Sequence, residues 1–240
     1  MSVQTMLASW VGGAAKRAMV REQPFVIGIT GSVGKSSTKQ LVGSVLQASI
    51  LREGVRIPQK NYNNELGLPL TILDLPAPGR SPFAWIRVLA RAVTCGWLGR
   101  EIGAQRLVLE MGADKPGDLA YLTSIAKPNI SVITAVSPER PQWAPVHAAN
   151  YPTIADLAYE KATLARALAE DGTLVLNADD CLVMDMKKQA PSSAHVLTFG
   201  TAENATVRLI STNLRLADTP NGALPIGLEI TLAILQRTRT

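Results

Sequence analysis

An α/β fold with a mostly parallel sheet, helices on both of its faces and a C-terminal β-hairpin is what this sequence predicts. Three observations predict it. Short apolar runs rich in Val, Ile and Leu alternate with segments whose apolar residues recur at helical spacing. Apolar residues make up 47% of the chain and charged residues 18%, enough to bury a sizeable core and too apolar for a disordered chain. Aromatics are few (Phe 3, Tyr 4, Trp 4), so the core rests on aliphatic side chains, which suit buried parallel strands.

Residues 1–22 read as an amphipathic helix ending in a basic patch of Lys16, Arg17 and Arg21. Residues 23–202 read as one α/β domain. PFVIGIT (24–30) is its first strand, and a glycine turn leads from it into the helix SSTKQLVGSVLQASILRE. Then come the strand QRLVLEM (105–111), a helix from Pro116, the strand NISVITAV (129–136) and a helix over 153–169. The strand GTLVLNA (172–178), the helix CLVMDMKKQA and the strand HVLTFG (195–200) complete the alternation. Between Arg52 and Ala104 the pattern gives two helices and a polar loop, NYNNE. Residues 203–240 alternate as two strands around Asp218–Gly222 and form the hairpin extension.

The formal charge of +5 suits anionic ligands in general. Cys95 and Cys181 follow no ligand or redox spacing; one disulfide is open to them, and two buried thiols of a reducing cytoplasm are the preferred reading. The N-terminus has no basic residue ahead of its apolar stretch, the wrong order for a signal peptide. Arg87 and Arg91 interrupt the apolar stretch 83–99 on one helical face, which makes it a surface helix rather than a membrane span. No nucleic-acid partner and no membrane insertion are expected.

GITGSVGKSSTKQ (28–40) carries the chemistry. Gly31 and Gly34 let successive N–H groups turn toward one anion, Lys35 adds a mobile cation, and Ser36 or Ser37 offers a hydroxyl to Mg²⁺. Ile29 stands where the strict phosphate-loop pattern has its first glycine, so this is a variant of that loop. DKPG (114–117) has a GTPase-like spacing, but the chain contains no N-K-x-D, and DKPG reads instead as a helix cap followed by proline.

TGSVGKSSTKQ, NYNNELGLPLTIL, LVLEMGADKPGDLAYLTSIAKPNISVIT and EDGTLVLNADD, in this order, resemble the ATP-binding central domain of the Mur ligases. The resemblance covers about residues 24–200 and implies a P-loop-type fold. Its NNE and EMGA strings point to the branch that adds D-Ala-D-Ala to a UDP-muramoyl tripeptide. The implied reaction is ATP-driven amide formation through an acyl phosphate in peptidoglycan precursor synthesis. The implied cofactors are ATP and Mg²⁺, and the implied compartment is the cytoplasm.

The resemblance implies ATP binding by Gly31, Ser32, Val33, Gly34, Lys35, Ser36 and Ser37, with Asn177 and Asp180 at the nucleoside. Lys35, Glu110 and Lys161 would be catalytic. Asn63, Asn64, Glu65 and Arg140 would contact substrate, and Ser36, Glu110, a carbamylated Lys161 and His147 would hold metal. Arg140 stands where the family usually has a metal-binding histidine, which puts two-metal catalysis in question. The family's N- and C-terminal domains are expected to be absent, since a short helix precedes the loop and QRTRT ends the chain as a truncated frame would. Two further readings therefore stand beside the ligase: a catalytically incomplete ATP-binding fragment that needs a separate C-terminal domain, and a ligase with another amino-acid acceptor, as in polyglutamate synthesis.

Overall fold

The computed structural model describes residues 3–58, 63–79, 81–136, 150–219 and 222–235. Aliphatic runs form β1 (Phe25–Thr30), β3 (Arg106–Glu110), β4 (Ile130–Ile133), β5 (Thr173–Asn177) and β6 (His195–Gly200), all within the predicted segments. A two-residue strand, β2 (Val55–Arg56), lies where no strand is expected from the pattern. With β7 (Val207–Thr219) and β8 (Gly222–Ile234) they make one sheet in the order β2-β3-β1-β4-β5-β6-β7-β8. Every pairing from β2 through to β7 is parallel, and only β7 with β8 is antiparallel. The hairpin thus joins the sheet, through Phe199 opposite Val207 and Gly200 opposite Arg208.

Strand side chains alternate between two cores, as a pleat requires. Ile27, Ile29, Val108 and Val132 meet Val42 and Leu46 of α2 (Lys35–Ala48) on one face. Val26, Leu107, Leu109, Ile133, Leu174 and Leu176 belong to the larger core on the other face. That core is closed by α1 (Val3–Glu22), α3 (Gly67–Ile72), α4 (Pro82–Gly96), α5 (Asp118–Ile125), α6 (Ile154–Lys161), α7 (Thr163–Arg166) and α8 (Cys181–Asp185). The predicted helix over 153–169 is broken at Ala162, and a 3₁₀ turn (Met186–Gln189) replaces the end of the one after it.

The N-terminal helix does not stand apart. Val11, Ala14, Ala15 and Ala18 of α1 are fully buried. Trp10 stacks on Trp97 with ring centroids 5.0 Å apart, and the Arg17 guanidinium lies 4.4 Å over the same Trp97 ring. Glu22 accepts the Ile102 N–H, and Arg21 donates to the Cys95 carbonyl. Both cysteines are free thiols, Cys95 buried and Cys181 exposed, so the expectation of two buried thiols holds for only one. DKPG also departs from expectation: α5 starts after Gly117, whose φ of 91° is the left-handed region, and Pro116 lies outside the helix. The cap comes from elsewhere, because both carboxylate oxygens of Glu160 accept N–H groups at this end, from Gly117 and Leu119. No helix among the described residues is long and apolar enough to cross a membrane.

The seam between α1 and α4 gives a test. A Cβ on Gly96 would lie 2.9 Å from both Cα and Cβ of Ala14, so the two backbones would have to part. Gly96→Ala is expected to cost about 1–3 kcal/mol as overpacking. Thermal unfolding measures it, and an unchanged midpoint would mean that α1 is not docked there.

Candidate functional site

β1 lies between β3 and β4, and the chain passes from β3 on one side of it to β4 on the other, so the carboxyl ends of these three strands border one crevice. The loop from β1 to α2 fills that crevice. Gly31, with φ 149°, packs so tightly on Thr134 that a Cβ would meet its hydroxyl at 1.9 Å. Thr134 Oγ1 donates within the loop, where the Val33 carbonyl lies 2.5 Å away and the Thr30 carbonyl 3.2 Å away. Gly34, with φ 83°, occupies the N-cap of α2 and offers the first-turn N–H groups of that helix no side-chain cap.

The loop's members divide by task. Ser32 N–H donates to the Ala135 carbonyl at 2.7 Å, so it anchors the loop instead of facing an anion. Val33 and Ser37 are exposed, whereas Ser36 turns inward and its Oγ donates to Glu110 Oε2 at 2.9 Å. Lys35 Nζ donates to the Gly31 carbonyl at 2.8 Å across the loop. Burial pushes the Lys35 ammonium below its ordinary pKa, while Glu110 and Asp114 oppose that shift.

Glu110 ends β3 with 2% of its surface exposed. Besides Ser36 it meets Lys39 Nζ, 3.5 Å from Oε2, and Asn63 Nδ2, 3.4 Å from Oε1. The oxygens of Ser36 and Glu110 are hard donors. Neighbouring corners of an octahedral Mg²⁺ shell, with bonds of about 2.1 Å, lie about 3 Å apart, so the pair suits that ion. Among the described residues no group of three or more His, Cys, Asp or Glu side chains is placed to take a metal.

Lys161 ends α6 with 3% exposure. Its pKa is pushed down to about 7 from 10.5, first by burial and then by the nearby Lys35 charge, with Asp114 and Glu160 pulling the other way. The structure therefore brings Lys35, Ser36, Asn63, Glu110 and Lys161 into one electrostatic neighbourhood. Asn64 and Glu65 are set to one side. Asn64 Oδ1 accepts the Gly67 N–H, and Glu65 pairs with Lys115 at 2.6 Å. Both line a cavity of about 540 Å³ with Trp85, Asp114, Lys115 and Asp118.

Asn177 and Asp180, at the end of β5 and the start of α8, bond to backbone groups. Asn177 Nδ2 donates to the Thr134 carbonyl. Asp180 Oδ1 accepts the Leu182 and Val183 N–H groups as the cap of α8, and its Oδ2 accepts Val136 N–H. They brace the wall behind the loop. Arg140 and His147 lie outside the described residues. Sequence reasoning passed over Lys39, Thr134 and Asp114. For Lys39 a signal existed: it falls one turn after Lys35, and with Gly43 makes the buried stripe of α2.

Comparison with known proteins follows the same lines. The family described as "Mur ligase middle domain" matches residues 29–85 and 97–229. A UDP-N-acetylmuramoyl-tripeptide–D-alanyl-D-alanine ligase of Mycobacterium leprae is 35% identical over 161 residues, 67% of this chain and 24% of that protein. The protein of the same name in Buchnera aphidicola is 25% identical over 233 residues, 93% of this chain and 41% of that one. Among solved structures, MurF from Acinetobacter baumannii superposes with TM-score 0.63 at 21% identity, over 92% of this chain and 41% of that one. The MurF ligase of Thermotoga maritima in complex with ADP gives 0.61 at 22%, over 93% and 44%. The chain thus spans 24% to 41% of the length of these curated relatives.

Lys161 supplies a pH test. The unfolded chain keeps this proton up to about 10.5 and the folded chain only up to about 7, so folding releases it between those values. Stability then rises with pH across that window and carries a penalty below it. Against Lys161→Met, the wild type is expected to gain up to about 1.4 kcal/mol per pH unit between pH 7 and 9.5. Urea denaturation measures this, and parallel curves would contradict a buried, depressed lysine.

Proposed function

The chain belongs to the family of the Mur ligase middle domain, and from that premise we propose that it is the ATP-binding part of a cytoplasmic ligase of peptidoglycan precursor synthesis. The proposed reaction adds D-Ala-D-Ala to a UDP-N-acetylmuramoyl tripeptide. The observation that carries this reading is the inward-turned Ser36 hydroxyl, 2.9 Å from the Glu110 carboxylate at the mouth of a glycine loop backed by Lys35 and a helix N-terminus. Such a constellation is built for a nucleotide polyphosphate with its cation. The acceptor and donor rest on the names of the relatives.

A carboxylate resists attack by an amine because its charge repels the nucleophile and oxide is a poor leaving group. Transfer of the γ-phosphoryl group to the tripeptide carboxylate gives ADP and an acyl phosphate. Attack by the D-Ala-D-Ala amine then forms the amide and expels phosphate. In this scheme Lys35 and the first-turn amides of α2 fix the β- and γ-phosphates and offset the charge that spreads over the transferring group. Ser36 and Glu110 would hold Mg²⁺, which when bound would supply electrostatic stabilisation of the phosphoryl oxygens. Lys161, neutral for about half the time near pH 7, has the free amine that carbamylation by CO₂ needs. The resulting carbamate would offer a second anionic oxygen donor. Asn64 and Glu65 line the cavity of about 540 Å³, and in this scheme they would contact the peptide.

Mg·ATP at a hundredfold excess over its Kd is expected to stabilise the chain by about 2.7 kcal/mol, read as a rise in melting temperature. Lys35→Ala is expected to abolish that rise; an unchanged rise would put the nucleotide elsewhere. Where the protein turns over, ADP release depends on both the muramoyl tripeptide and D-Ala-D-Ala, and equal release with either omitted would refute the ligase. In ¹³C-bicarbonate a carbamate resonance is expected and is lost in Lys161→Arg; a resonance retained in the variant would assign it to another amine.

A further inference from the structure

Lys39 has no part in the chemistry proposed above, yet it is buried against the centre of that site. Its side chain and that of Glu110 are each 2% exposed, with Nζ 3.5 Å from Glu110 Oε2. The same oxygen accepts the Ser36 hydroxyl at 2.9 Å, and Oε1 faces Asn63 Nδ2 at 3.4 Å. Bringing an ammonium and a carboxylate out of water is costly, and a surface lysine could have filled the outer face of α2 at no such cost. Its placement calls for a reason beyond packing.

We propose that Lys39 is a positioning residue that cancels the charge of Glu110, so that the site takes a divalent cation only together with a nucleotide's phosphates. The inference rests on the nucleotide reading above. The protein's oxygen ligands there are a neutral hydroxyl and a carboxylate already paired with an ammonium, a set with no net charge. A hard dication gives up hydration water reluctantly and gains little from such a set. Phosphate oxygens supply the missing negative charge. Metal and nucleotide therefore bind with positive coupling, which is reciprocal by necessity. Lys39 also holds one carboxylate oxygen from the α2 side while Asn63 holds the other, so the carboxylate is aimed before the ion arrives.

Calorimetric titration of MgCl₂ into the chain, with and without saturating ADP, tests this in wild type, Lys39→Met, Lys39→Gln and Lys39→Arg. In wild type, Mg²⁺ is expected to bind measurably only with ADP present. In the Met and Gln variants Mg²⁺ alone is expected to bind at least about tenfold more tightly than in wild type, which shrinks the ratio of the two affinities. Arg, which keeps the charge, is expected to restore that ratio. An ion pair that merely staples α2 to β3 would lower the unfolding midpoint and leave the ratio unchanged, and that result overturns the proposal. The Gln variant keeps a hydrogen-bond donor for Glu110, so the test stands if the Met variant does not fold. Tight binding of bare Mg²⁺ by wild type overturns the proposal without any variant. Failure of wild type to take up Mg·ADP at all would remove the nucleotide reading itself, a different outcome from an unchanged ratio with Mg·ADP bound.

Discussion

A buried carboxylate has to be compensated, and at Glu110 that requirement organises the whole crevice. One oxygen draws in the Ser36 hydroxyl and the Lys39 ammonium from α2, and the other draws Asn63 from the chain that leads into α3. Two segments far apart in sequence are thereby fixed to the end of a single strand. The consequence for chemistry is rigidity. Ser36, Lys39 and Asn63 are held by a shared partner at the end of a sheet strand, which fixes their positions relative to one another.

The sheet order makes that convergence possible. With β1 central and β3 and β4 beside it, the glycine loop, Glu110 and Thr134 all emerge at the same edge. Thr134 closes the arrangement from below. Its hydroxyl takes the space a Gly31 side chain would need and meets the Val33 carbonyl, so only glycine at 31 lets loop and strand approach this closely. Behind it, Asn177 and Asp180 tie the ends of β4 and β5 together. Residues that look like nucleoside ligands in the sequence are engaged by backbone groups, and the loop stands on the wall they make.

What could be read beforehand follows the range of the forces involved. β1, β3, β5 and β6 are aliphatic runs bounded by turn residues, a local signal, and the pattern locates each of them. β2 spans two residues and has no periodicity to read; it exists because the β3 edge pairs with it. The break at Ala162 has no glycine or proline to announce it. The docking of α1 depends on small residues, Ala14 against Gly96, that no amphipathic pattern marks. At the site, Lys35 and Ser36 were legible because a contiguous motif carries them. For Lys39 the spacing from Lys35 was legible but its role was not, because that role comes from a carboxylate on another strand. The cap of α5 by Glu160 was hidden for the same reason.

The three lysines of the crevice show how one residue type is given different properties by its surroundings. Lys35 bonds to a backbone carbonyl, and the charges of Glu110 and Asp114 partly offset the effect of its burial. Lys39 is buried with Glu110 against it as a matched pair. Lys161 is buried beside another cation, Lys35, and the carboxylates near it offset only part of that penalty. A polyanion entering this crevice meets an ammonium that can reach it, another already committed to a carboxylate, and an amine that readily sheds its proton. Because Lys35 and Lys161 repel each other, an anion that neutralises Lys35 also eases the penalty on Lys161. An anion held at the glycine loop would therefore be coupled to the charge of Lys161 through Lys35.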